Sequence, residues 1–188
     1  LAQGLKEGLG YFKENYAVYD TLSYNKVKLL HHPDNYLCAK NGYESCYNAG
    51  DYLTENKIPY SVIIPSDILS LNSGDTVVLP NMIYCENKLY EDLKTISQKG
   101  VKIIAIDGFG HYNENTKGRS EKNEIYNLQG IKGSIITSPE NLANHIEKSV
   151  DCKTEDILLE TRITKDNKLV FNLLNADPDR ENLITSAT

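Results

Sequence analysis

Two short stretches hold most of the side chains able to do chemistry. His31-His32-Pro33-Asp34 and Asp107-Gly-Phe-Gly-His111 each set imidazole beside carboxylate, and Tyr84-Cys85 lies between them in the chain. Imidazole and carboxylate together can coordinate a transition metal or relay a proton, and a thiol close to a histidine can act as a nucleophile. The five His and Asp residues follow no standard metal-ligand spacing. They read equally as polar residues that cap strand ends and bond loop backbone. Cys85 has no glycine elbow around it, and activation of a thiol needs a cation or base close by. The four cysteines, at 38, 46, 85 and 152, contain no Cys-x-x-Cys pair, which speaks against a zinc knuckle or a dithiol redox motif.

The elements that must position these residues follow from hydrophobic periodicity. Lys26–Leu30, Ser61–Pro65, Thr76–Leu79, Val101–Ile106 and Gly133–Thr137 are short apolar runs with the character of buried parallel strands. Between them, Asn41–Asn56 reads as a helix with Asn41 as N-cap and Glu44 in its first turn. Its expected inner face is Tyr43, Cys46, Tyr47, Gly50 and Leu53. Leu89, Leu93 and Ile96 form the stripe of a second helix that stops at Gly100. Ser138-Pro139-Glu140 opens a third, with Leu142, Ile146 and Val150 on one face. The stretch 113–123 is polar and aperiodic, as a loop should be. The order of these elements is that of a flavodoxin-like three-layer α/β sandwich with a parallel sheet.

Both ends differ in character. Leu1, Leu5, Leu9, Phe12, Tyr16 and Tyr19 make one helical stripe, weakened by glycines at 4, 8 and 10, so residues 1–23 are expected to be a linker helix from a preceding domain. Residues 24–152 form the α/β domain. In 153–188, Ile157–Thr164 and Leu169–Leu174 read as a hairpin that begins a following β-domain. A start at Leu1 and a single Met, at position 82, add to the expectation of a piece of a longer protein.

In a sheet of this kind ligands bind outside the carboxyl ends of the strands. The candidate ligand-binding residues are therefore His31, His32, Asp34, Tyr84, Asp107 and His111. Flavin phosphate is disfavoured there, because the loop after the first strand has Pro33 and Asp34 and lacks Gly, Ser and Thr. No cofactor is expected. A net charge of −6 without a basic run argues against nucleic acid or an anionic membrane as partner, and no apolar run is long enough to span a bilayer.

Ala105-Ile-Asp-Gly-Phe-Gly-His111 resembles the Gly-x-Cys-x-Gly region of class I glutamine amidotransferases, with Asp107 in place of the thiol. Asp75-Thr-Val-Val-Leu-Pro-Asn-Met-Ile-Tyr84, the helix ending at Lys99-Gly100, and Val101-Lys-Ile-Ile-Ala-Ile-Asp-Gly108 resemble the middle, trimerisation domain of family 42 β-galactosidases. That resemblance covers roughly residues 24–150. It implies an amidotransferase-like fold without catalytic residues of its own, partnered by self-association or by the catalytic barrel of the parent, which would bind the carbohydrate. Thirteen tyrosines against three phenylalanines and no tryptophan fit an interface, although Tyr16, Tyr43 and Tyr47 could equally be core positions. Two other functions stay open. One is a small-molecule or sugar-binding regulatory module at the strand-end edge; the other is a free-standing hydrolase using Cys85 or a metal.

Overall fold

Runs of Val, Ile and Leu with no turn former inside can bury both faces, which suits the middle of a parallel sheet. The computed structural model, which describes residues 21–116, 126–148, 150 and 157–175, places these runs there. In chain order come β1 (Thr21–Ser23), β2 (Val27–Leu30), α1 (Pro33–Cys38), α2 (Gly42–Glu55), β3 (Tyr60–Ile63) and a 3₁₀ turn, Pro65–Ser70. Then follow β4 (Thr76–Tyr84), α3 (Asn87–Gln98), β5 (Lys102–Tyr112), a 3₁₀ turn at Leu128–Gly130 and β6 (Ser134–Thr137). A 3₁₀ segment, Pro139–His145, leads on to β7 (Ile157–Thr164) and β8 (Leu169–Asn175).

Five strands form a parallel sheet in the order β3-β2-β4-β5-β6. Numbered within the sheet this is 2-1-3-4-5, the flavodoxin-like order. Because side chains alternate along a strand, Val77 and Leu79 face one layer with Ile103 and the α3 stripe of Leu89, Leu93 and Ile96. Val78 faces the other layer, with Ile104, Ile106, Leu142 and the α2 residues Ala49 and Leu53. Leu53, Leu93 and Ile104 have no exposed surface at all, and truncating any one to Ala would cost about 2–5 kcal/mol. Gly100 closes α3 at φ +92°, where a Cβ would also stand 2.9 Å from Ser73 Oγ.

Three expectations change. The third and fourth strands of the sheet do not stop at Leu79 and Ile106; pairing resumes at Met82 with Phe109 and at Tyr84 with Tyr112. Between these pairs β4 advances two residues and β5 three, so the extra residues lie on β5 and the register shifts twice; Asn81 at φ +37° and Asp107 at φ +65° sit at the first shift. Pro80 is tolerated because β2 pairs with β4 only as far as Val78, leaving one flank open beyond it. Second, the segment after Ser138 is 3₁₀ and ends at His145; its Asn141, Asn144 and His145 are poor helix formers, though Leu142 and Ile146 are still buried. Third, Tyr43 and Tyr47 point outward, 67% and 62% exposed, and the inner face of α2 is Ala49, Gly50 and Leu53 with Cys46 half-buried. The Asn41 side chain makes no capping bond.

β1, β7 and β8 form a separate antiparallel sheet. The hairpin is as expected, with Asn167 in the left-handed region at its turn. Arg162 ties β1 to it, donating to the Thr21 hydroxyl (2.6 Å) and carbonyl (2.8 Å). Asn25 joins the two sheets: its amide donates to the Tyr60 carbonyl (2.7 Å), Ser61 Oγ (3.1 Å) and Ser23 Oγ (3.2 Å). The expected helix over Leu1–Tyr19 and most of the loop 113–123 lie outside the described residues.

Candidate functional site

The chain leaves β2 at His31 and His32 and turns at once into α1, with Pro33 at the first helical position. His32 is 3% exposed, and neither ring nitrogen has a hydrogen-bond partner among the described residues. Its ring packs edge-on to Tyr84, centroids 5.8 Å apart. Burial lowers the His32 pKa below the ordinary histidine value, with Asp34 pulling weakly the other way, because a charge there would lack solvation. One turn on, Asn35 is buried and bridges the irregular stretch of β4 from Asn81 to Tyr84. Its Nδ2 donates to the Asn81 carbonyl (3.0 Å) and its Oδ1 accepts the Tyr84 N–H (2.9 Å). The crevice between β2 and β4, where the strand order reverses, is thus occupied by the protein's own amide.

Carboxylates gather outside this plug. Glu86 has its pKa raised, first by burial and then by the negative charges of Asp34 and Glu114. Glu114 accepts the Asn87 N–H through both oxygens, at 3.0 and 3.3 Å. Cys85 sits beneath, with no exposed surface and its thiol 3.7 Å from the Glu86 carbonyl. Burial, reinforced by Glu86 and Glu114, pushes its pKa far up, the reverse of what an attacking thiol needs. A hydrolase built on Cys85 is contradicted by that position.

Asp107 lies on the other side of β4. It is exposed and its carboxyl pKa is raised, first by partial burial and then by Glu140. A Cβ on Gly108 would meet Asn81 Oδ1 and Ile83 Cγ2 at 3.1 Å and come within 3.9 Å of His111 Nε2, so Gly108 lets β5 pass close to that stretch of β4. Of the six candidates, His32, Asp34 and Tyr84 come together. His31 turns away to hydrogen-bond Tyr36 through Nδ1 (2.8 Å), and Asp107 and His111 belong to the β5 side. Among the described residues no group of three His, Cys, Asp or Glu is placed to hold a metal ion.

Two features escaped the sequence reading. Asn35, Glu86 and Glu114 carry no local signature, because only the fold brings them to one place. A tyrosine-lined cavity of about 300 Å³ beside α2 was signalled by Tyr43, Tyr47 and Asp51 recurring every fourth residue. A cavity of about 580 Å³ at the opposite, amino ends of the strands has much of its charge matched internally. There Lys26 lies 3.7 Å from Asp75, and Lys102 Nζ donates to the His145 carbonyl at 2.5 Å.

Comparison with known proteins gives a likeness of fold. No family model and no curated protein matches the sequence. The chain is similar to an exo-carrageenase, GH42, from Bacteroides ovatus, with a TM-score of 0.55 and 13% identity over 80% of this chain and 22% of that one. Weaker overlays are with a β-galactosidase from Bacillus circulans sp. alkalophilus (TM-score 0.46, 15% identity, 82% of this chain and 24% of that one) and with one from Rahnella sp. R3 (0.44, 12%, 83% and 24%). The chain therefore spans about a quarter of the length of the structures it overlays. At these identities the shared property is the α/β architecture.

Proposed function

We propose that this chain is a non-catalytic domain of a larger glycoside hydrolase of the family 42 β-galactosidase kind, acting in self-association and in framing the active site of its parent. One observation carries the reading. Asp107 holds the left-handed backbone position where an amidotransferase-like enzyme needs its thiol, and β5 continues past it as a strand instead of turning into a helix. The scaffold is there without a nucleophile, and the nearest cysteine in the strand-end region is sealed. The fold likeness to a GH42 exo-carrageenase, of which the chain matches 22%, supports a domain within a longer chain. In that scheme residues 1–23 enter from a catalytic barrel, 24–152 are the assembly domain and 153–188 begin a β-domain. The small sheet supports the last assignment: Leu22, Leu169 and Phe171, which the pairing puts on one face, are 74%, 48% and 41% exposed, an apolar surface suited to cover by further strands.

Light scattering over a concentration series, beside turnover of a chromogenic β-galactoside, tests this. Self-association without turnover is the expected result; turnover by this chain alone would overturn it. A second reading, a small-molecule-binding module, is favoured by the tyrosine-lined cavity.

A further inference from the structure

Positions i, i+4 and i+8 of a helix share one side, and on α2 these are Tyr43, Tyr47 and Asp51, all exposed. Large aromatic rings left in water on one stripe call for an explanation. Together with Tyr36 of α1, Tyr60 of β3 and His31 at the end of β2, they line an open cavity of about 300 Å³, at the small end of the range for small-molecule sites. Its walls are fixed. The Tyr36 hydroxyl is held 2.8 Å from His31 Nδ1. The Tyr36 and Tyr43 rings stand at 87° with centroids 5.8 Å apart, and His31 meets Tyr36 at 67° and 5.1 Å. Tyr60 reaches the cavity because α2 has glycine opposite it: a Cβ on Gly50 would lie 2.7 Å from the Tyr60 hydroxyl.

The charge of the lining is one-sided. It includes Asp51 and neither lysine nor arginine. Phenol faces carry the negative side of the ring quadrupole, so rings and carboxylate alike attract a cation and repel an anion. A neutral sugar needs several convergent donors and acceptors for its hydroxyls. Here the lining supplies one carboxylate, the tyrosine hydroxyls, the Cys46 thiol and the His31 ring, with the Tyr36 hydroxyl and His31 Nδ1 already engaged with each other.

We propose that this cavity binds an organic ammonium ion, a quaternary or alkylated amine whose N-alkyl groups pack on Tyr36, Tyr43 and Tyr47 with Asp51 as counter-ion. This rests on the small-molecule-binding reading and is independent of self-association.

The test is calorimetric titration of the full chain with choline, with 3,3-dimethylbutan-1-ol, in which carbon replaces the charged nitrogen, and with galactose. Choline should bind saturably and at least about tenfold more tightly than the alcohol, as cation–π attraction in a partly desolvated site allows. Tyr47→Ala and Asp51→Asn should each weaken it about fivefold or more, and Tyr47→Phe should keep it. All are surface changes whose fold circular dichroism can check. Equal binding of choline and the alcohol, or indifference to Tyr47→Ala, overturns the proposal. Preference for galactose overturns the ammonium assignment and leaves the binding module standing, whereas failure of all three ligands removes both.

Discussion

Replacing Asn35 by alanine removes a side chain that stands in for sheet pairing along the irregular stretch of β4 from Asn81 to Tyr84. Asn35 is 1% exposed and satisfies two backbone groups, the Asn81 carbonyl and the Tyr84 N–H. Leaving a buried polar group without a partner costs about 1–3 kcal/mol. Both groups belong to half-buried residues, so some rehydration lowers the sum, and a loss of about 2–4 kcal/mol is expected. At about 2–4 °C per kcal/mol for a domain of this size, that is a fall in Tm of about 5–15 °C. Urea unfolding gives the free energy, and amide exchange gives the place: Tyr84 should lose protection while Val78 and Ile104 keep theirs. Asn35→Asp sharpens the test. Its carboxylate can accept from Tyr84 but opposes the Asn81 carbonyl, whereas the protonated acid can serve both. This variant should therefore gain stability relative to the parent as the pH falls toward 4. A loss below about 1 kcal/mol for Asn35→Ala, or an unchanged Tyr84 amide, would refute the bridging role.

Burial holds the pKa of His32 below its ordinary value of 6.5, so the unfolded chain binds the proton more readily than the folded one. Its contribution is thus intact above about pH 6.5 and is lost as pH falls below that. His32→Phe should flatten the stability profile between about pH 7 and 5 in chemical denaturation. Gly110 sits at φ +69° with a virtual Cβ 2.7 Å from the Tyr126 carbonyl oxygen, whereas Gly74, at φ +86°, has nothing within 4 Å. Gly74→Ala should cost about 1–2 kcal/mol from backbone strain alone, and Gly110→Ala clearly more, as read by thermal melts of the pair. Alkylation followed by mass spectrometry should modify Cys38, which is exposed, in the native state and Cys85 only on unfolding. Native labelling of Cys85 would contradict its sealed position.

Much of the sandwich was legible because local pattern and tertiary role agree there. The runs around Val78 and Ile104 have no polar face to offer, and Leu89, Leu93 and Ile96 can share a face only on a helix. What stayed hidden was decided by neighbours distant in sequence. Pro80 looks like a strand end, yet it is tolerated because β2 has already left the ladder. Counting Tyr43 and Tyr47 as apolar places Gly50 and Leu53 correctly on the inner face of α2 but leaves out Ala49. The sequence puts His31 and His32 on the same strand-end edge, but consecutive residues diverge: one bonds Tyr36 and the other packs on Tyr84. Burial of Asn35 could not be read, since an asparagine after a proline looks like surface until the irregular stretch it bridges is known.

The continuation of β5 beyond Asp107 also bears on protein engineering. An acyl-transfer centre needs free N–H groups beside its nucleophile to hold an oxyanion, commonly at the start of a helix. Here the backbone after Asp107 goes on pairing with β4 as far as Tyr112, through two shifts of register, and no helix begins at that point. Grafting a thiol by Asp107→Cys would give a cysteine on a strand, without an oxyanion pocket to work with. A designer who wants an amidase from this scaffold must first rebuild the topology downstream of residue 107, and a library of point substitutions would search the wrong space.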